Sequence, residues 1–298
     1  MSLSAAKPSR TIAAAMILLL AAGCARAPQR PSERILVAAS IAPLYYFSKQ
    51  IGGAHVDVHL LVPPGANAHT YQLRPDQMKA LSRAKVLVLN GIGLEYWADK
   101  AVGAADNPDL VVIKTAEGLP LEDAVHDAAH PRGNPHVWLD PVFAGQQVEM
   151  IRDAFIEADP THTSDYKAGA DRVIRRLRAL DTEIRDEVKT FRSRSFVSFH
   201  PAWVYFANRY GLTEAASIEE SPGKEPSPTR LREVVETAKR LRAKAIFAEP
   251  QSSPKAAEVV AEEVGAKVLF LDPLGRPPSY SYFDMMRRNV SEMAKALR

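Results

Sequence analysis

The sequence predicts an α/β protein built of two parallel-sheet lobes joined by one long, rigid α-helix. Three observations predict it. Short β-branched runs alternate with helical patterns in two series, one on each side of residue 159. Most of the runs are apolar without polar alternation, which suits strands covered by helices on both faces. Between the two series lies an amphipathic stretch without proline, much longer than an ordinary helix.

The elements follow in order. "ILVAAS" (35–40) reads as a strand and "PLYYFSKQIGG" (43–53) as a helix stopped by glycines. "VDVHLLV" (56–62) is a second strand, followed by the loop "PPGANAHTYQLRP". A helix over 75–84, a strand over 85–91, a helix over 94–102 and a strand over 110–115 complete the first series. A polar loop then leads to Asp140-Pro141, a helix start: the Asp accepts from free backbone N–H groups, and proline in the first turn forfeits no hydrogen bond. From 159 to 192, Val173, Leu177, Leu180, Ile184 and Val188 recur at helical spacing, with opposite charges on the other face. This stretch holds a single glycine, Gly169, and no proline after Pro160. The second series has strands at 195–199, 245–249 and 267–272 and helices at 201–211, 229–243, 253–265 and 282–297, with 213–228 read as a loop.

Composition narrows the function. The chain has 298 residues, of which 46% are hydrophobic and 24% charged, a soluble globular balance with room for two ordinary domains. A net charge of +3, with no long Lys/Arg run interleaved with aromatics, argues against a nucleic-acid partner. The single cysteine, Cys24, leaves no intramolecular disulfide and no cysteine-based zinc site. It closes "MILLLAAGC", an apolar run behind Lys7 and Arg10 that is too short to span a bilayer. "LAAGC" resembles a bacterial lipobox, with Ala21 where leucine is usual. The expectation is an exported protein, periplasmic or at the cell surface, anchored to a membrane through lipid on Cys24. The division expected is signal peptide 1–24, linker 25–34, first lobe 35–158, linking helix 159–193 and second lobe 194–298.

Four polar residues stand out by position. His69 follows the second strand, His136 follows the 110–115 strand, His200 ends "SFVSF" and Asp272 ends "KVLFL". Each lies beyond the carboxyl end of a strand, where open α/β sheets place their ligand crevices. Taken alone, His136 in "NPHVWLDP" reads first as a packed or surface histidine. Two candidates from each lobe change that reading: if the lobes face each other, all four converge in the cleft between them. Three imidazoles and a carboxylate suit a first-row divalent ion, and four protein ligands close a zinc site, which favours holding the metal over activating water on it. The gaps between these residues are long and match no compact motif.

"VPPGANAHTYQLRPDQ", "NPHVWLDP", "FHPAWVYFANRYGL", "EPSP", "AIFAEPQSSPKAAEVVAEEVGAKV" and "LDPLG" together resemble the zinc/manganese solute-binding lipoproteins of bacterial ABC importers. The resemblance runs over nearly the whole chain after residue 35. It implies two lobes on a rigid helical backbone, a metal ion between them, and delivery of that ion to a permease in the inner membrane. The family's ligands fall on His69 (with Tyr71), His136, His200 and Asp272. Histidine at the third position is the zinc-type choice; glutamate stands there in many manganese-type members. The resemblance thus implies Zn²⁺ as cargo, with Mn²⁺ the alternative, in a monomer that is not an enzyme.

The chain departs from the zinc-type pattern in one place. The His/Asp-rich run before the second ligand is reduced to His126 and His130, which read as residues of a solvated loop. Glu249 in "FAEPQ" is a candidate hydrogen-bond partner for a ligand imidazole. His55 and His59 are expected on a strand at an edge or surface, and His162 exposed near the start of the long helix. Trp97, Trp138 and Trp203 read as packing residues, and Glu219 and Glu220 as loop charges. A secreted zinc hydrolase would need an open coordination position and a general base, and neither His-Glu-x-x-His nor Gly-x-Ser-x-Gly occurs. An adhesin or a receptor for another solute, with structural histidines, is the third reading.

Overall fold

A computed structural model of the chain describes residues 1–3, 34–121, 133–220 and 223–298. Cys24, His126 and His130 lie outside the described residues. The described residues from Arg34 to Arg298 belong to one compact unit.

Within the larger unit the first series folds into a four-stranded parallel sheet of order β2-β1-β3-β4: β1 Ile35–Ala39, β2 Val56–Leu60, β3 Val86–Leu89 and β4 Val111–Lys114. Helices α1 (Ala42–Gly52), α2 (Pro75–Leu81) and α3 (Ala98–Ala105) make the crossovers. The order switches direction between β1 and β3, the point where a crevice opens outside the strand ends. One carboxylate fixes that point. Glu95 accepts from the Ser40 hydroxyl at 2.6 Å and from the amides of Asn90 and Gly91 at 2.9 Å each, tying the end of β1 to the end of β3.

Asp140 caps α4 (Pro141–Ala158) as expected, its carboxylate accepting from Val142 N at 2.8 Å. The long helix α5 is Thr163–Lys189, preceded by a tight turn at Pro160–His162. His162 is less exposed than expected. Its ring stacks on His55 at 3.8 Å, and its Nδ1 meets Asp159 at 2.5 Å. His55 itself lies in a turn before β2, not on the strand; its Nε2 pairs with Asp165 at 3.0 Å.

The second series contributes β5 (Ser195–Ser198), α6 (Val204–Tyr210), β6 (Thr213–Ser217), α7 (Pro228–Leu241), β7 (Ala245–Ala248), α8 (Lys255–Val264), β8 (Lys267–Phe270) and α9 (Tyr282–Leu297). β5 pairs with β6 and β7 with β8, both parallel. Strand β6 corrects the loop expected there. "TEAAS" has little β propensity, and it becomes a strand because the edge of β5 supplies its hydrogen-bond partners.

The largest apolar cluster runs through both series. It joins Val37 and Phe47, the buried stripe Val173, Leu177, Leu180 and Ile184 of α5, and Phe196, Phe247 and Tyr282. Gly169 lets α5 approach α1 closely. A Cβ built there would sit 2.4 Å from the Ile51 carbonyl oxygen and 2.9 Å from its Cα, both backbone atoms that cannot rotate away. Gly169→Ala should therefore destabilise the metal-free protein by about 1–3 kcal/mol, the usual cost of overpacking. Urea unfolding of the two proteins measures it, and an unchanged midpoint would mean that the helices part freely.

Candidate metal centre

The three histidines come from three loops at carboxyl ends of strands, and each loop is held by its own polar contacts. His69 sits in the turn after β2, where Asn67 Oδ1 accepts its backbone N–H at 2.9 Å. His136 precedes the turn Val137–Leu139 that leads into α4. Asn134 Oδ1 accepts from His136 N at 3.0 Å and faces His136 Nδ1 at 2.8 Å. The amide's orientation is settled by its other end: Nδ2 lies 2.5 Å from Pro201 O, and a carbonyl can only accept. That orientation puts the His136 proton on Nδ1 and leaves Nε2 as a lone pair. The same amide braces the His136 loop against the His200 loop. Behind it, Asn90 Nδ2 donates to Pro135 O at 2.8 Å, linking the loop to the clamped ends of β1 and β3.

His200 follows β5 directly. Its Nδ1 lies 2.6 Å from Glu249 Oε1, at the end of β7, and both side chains are buried. Burial of the imidazole works against its charged form, but the adjacent Glu249 carboxylate, with Glu214 and Glu219 further off, outweighs it and raises the His200 pKa. Glu214 anchors the same loop from β6. It accepts from the Ser198 hydroxyl at 2.6 Å and from Trp203 N at 3.2 Å, and burial pushes its carboxyl up to about 7.

These supports aim three Nε2 atoms at one point. His136 Nε2 lies 3.1 Å from His69 Nε2 and 3.0 Å from His200 Nε2. A tetrahedral zinc with Zn–N bonds of 2.0–2.1 Å requires edges of about 3.3 Å between nitrogens, so the two separations from His136 Nε2 are close to two edges of that tetrahedron. Converging lone pairs repel unless a proton or a cation lies among them. Among the described residues this is the only cluster of three or more histidine, cysteine or acidic side chains fit to hold a metal. It borders a narrow cleft, with room for little more than a water molecule or an ion, whose wall also includes Trp138, Glu219 and Glu249.

Asp272, the expected fourth ligand, does not join the group. It is buried, but its Oδ1 accepts from Gln251 Nε2 at 2.8 Å, Gly275 N at 2.9 Å and Leu274 N at 3.2 Å. Its Oδ2 faces Arg276 Nε at 3.4 Å. An Asp opening a tight turn satisfies the amides two and three residues ahead, and here that role occupies the carboxylate. Glu249 stands where a carboxylate would orient a ligand imidazole. Trp97, Trp138 and Trp203 are buried packing residues, and Trp138 Nε1 donates to Pro273 O at 2.7 Å. Asn134 was missed in the sequence, although Asn-Pro before a histidine is a turn signal that could have found it. Glu219, read as a loop charge, lines the cleft.

Residues 37–296 match the family model described as zinc-uptake complex component A, periplasmic. The chain is 28% identical over 304 residues to the high-affinity zinc uptake system protein ZnuA of Bacillus subtilis, covering 95% of each chain. It is 30% identical over 293 residues to the manganese-binding lipoprotein MntA of Halalkalibacterium halodurans, covering 95% of this chain and 96% of that one. Among solved structures, a crystal structure of ZnuA superposes with a TM-score of 0.80 at 32% identity, over 89% of this chain and 99% of the other.

Proposed function

Since the chain belongs to the periplasmic zinc-uptake component A family, whose members are metal receptors of ABC importers and not enzymes, we propose that it captures Zn²⁺ with His69, His136 and His200. The ion is cargo, handed on to a permease in the inner membrane. The observation that carries this reading is the convergence of three imidazole Nε2 atoms within 4.8 Å of one another, with the Asp272 carboxylate held apart. A nitrogen-rich donor set suits zinc, whereas manganese favours carboxylate and water oxygens. Supplying all three donors from one chain, the receptor works as a monomer. It is held at a membrane through lipid on Cys24, two acyl chains being enough for stable attachment where one is marginal.

The site chemistry follows from the supports. Asn134 and Glu249 keep the His136 and His200 protons on Nδ1, so both rings present Nε2 to the ion without rearrangement. The Glu249 carboxylate also offsets part of the ion's charge through the His200 ring. The test is competitive loading: strip the protein with a chelator, offer zinc and manganese together in equal amounts, and measure bound metal by elemental analysis. A single zinc per chain with little manganese is the expected result. Preferential manganese uptake would reassign the cargo, and no uptake of either would remove the site.

A further inference from the structure

We propose that Glu219 supplies the fourth donor to the ion held by His69, His136 and His200; this rests on the zinc reading of that site. Strand β6, absent from the sequence reading, makes the placement possible. β5 and β6 pair in parallel with Val197 opposite Ala216 and Ser198 opposite Ser217. The two chains stay tied past the strand ends, Ile218 N donating to Ser198 O at 3.0 Å and Glu219 N to Phe199 O at 2.7 Å. Two more places in that register set Glu219 beside His200. Glu219 thus lies just beyond the end of β6, at the same edge of the fold as the loops that carry His69, His136 and His200.

Three further observations favour it. Glu219 is 9% exposed and lines the cleft together with the three histidines. Its side chain has one long hydrogen bond among the described residues, from Gly223 N at 3.4 Å, so little has to be broken for it to turn to an ion. Gly223, further along the chain, lies against the His69 loop. At Gly223 (φ +77°) a Cβ would lie 2.8 Å from the Thr70 methyl, next to His69. The rival carboxylates are engaged elsewhere. Asp272 holds its own turn, and Glu249 sits at His200 Nδ1, on the side of the ring away from the metal-facing Nε2. Three neutral imidazoles carry no charge of their own to a zinc ion inside the protein, and an anionic fourth donor bound directly would offset one of its two charges.

The test uses the full chain, metal-free, with Glu219→Gln and Asp272→Asn compared with the wild type. Zinc affinity is read by chelator competition, and the fourth donor by the visible absorption of the cobalt(II) form, whose bands respond to the atoms bound. Glu219→Gln should weaken zinc by at least about 10- to 100-fold, the range seen when a supporting group is lost, and should change the cobalt spectrum. Asp272→Asn should keep the wild-type spectrum. A wild-type spectrum in Glu219→Gln would overturn the proposal whatever its affinity, as would a changed spectrum in Asp272→Asn alone. Both of those results would leave the three-histidine reading standing. Failure of the wild-type protein to take up zinc or cobalt would instead overturn that reading, and this proposal with it.

Discussion

His200→Ala should lower zinc affinity by more than about 100-fold while the metal-free protein keeps its fold. Loss of a group that only orients a ligand typically costs 10–100-fold, and this substitution removes a donor and its orienting pair together. The His200–Glu249 contact at 2.6 Å is lost with the ring, so Glu249 no longer acts on the ion. His136→Ala should be at least as damaging, because His136 Nε2 is the atom within 3.1 Å of both other nitrogens. The fold should survive because both rings, although buried, line the small polar cleft and lie outside the apolar core, so truncation enlarges that cleft instead of hollowing packed core. Chelator competition gives the affinity, and a thermal melt of the metal-free variant by circular dichroism checks the fold. Wild-type affinity in His200→Ala would end the zinc assignment.

The histidines were legible in the sequence because strand ends are. Each follows a run that reads as a strand, and parallel topology sends all such ends to one edge. The long helix was legible for a similar reason: from Val173 to Val188 its buried residues keep helical spacing without interruption. What was not legible depends on pairing across space. "TEAAS" carries no strand signal of its own, so β6 was lost, and with it the placement of Glu214 and Glu219 beside the His200 loop. Asp272 misled for the opposite reason. Its strand-end position was read correctly, but a sequence does not show whether a carboxylate faces a cleft or its own turn, and three hydrogen bonds to Oδ1 turn it inward. His55 and His162 were read as separate surface residues, and only the packing of α5 against α1 stacks them.

Zinc affinity should fall steeply as the pH drops below about 6, with more than one proton taken up per zinc released. An imidazole binds metal through a bare nitrogen, so protons and zinc compete for the same Nε2 atoms, and an ordinary histidine titrates near 6.5. At His200 the competition starts higher, because the Glu249 carboxylate overcomes the effect of burial and raises its pKa. The sign for stability follows from that direction. A histidine raised in the folded state stabilises the metal-free fold fully below the unfolded value of about 6.5, and that contribution fades as the pH rises through the raised value. Zinc acts the other way, since it stabilises only what it binds and binds best when the rings are neutral. The rise in melting temperature on adding zinc should therefore be large at neutral pH and above, and should shrink towards zero near pH 5. Melts with and without zinc across that range measure both effects at once. A zinc-induced shift of constant size from about pH 7 to about pH 5 would show that histidine does not hold the ion.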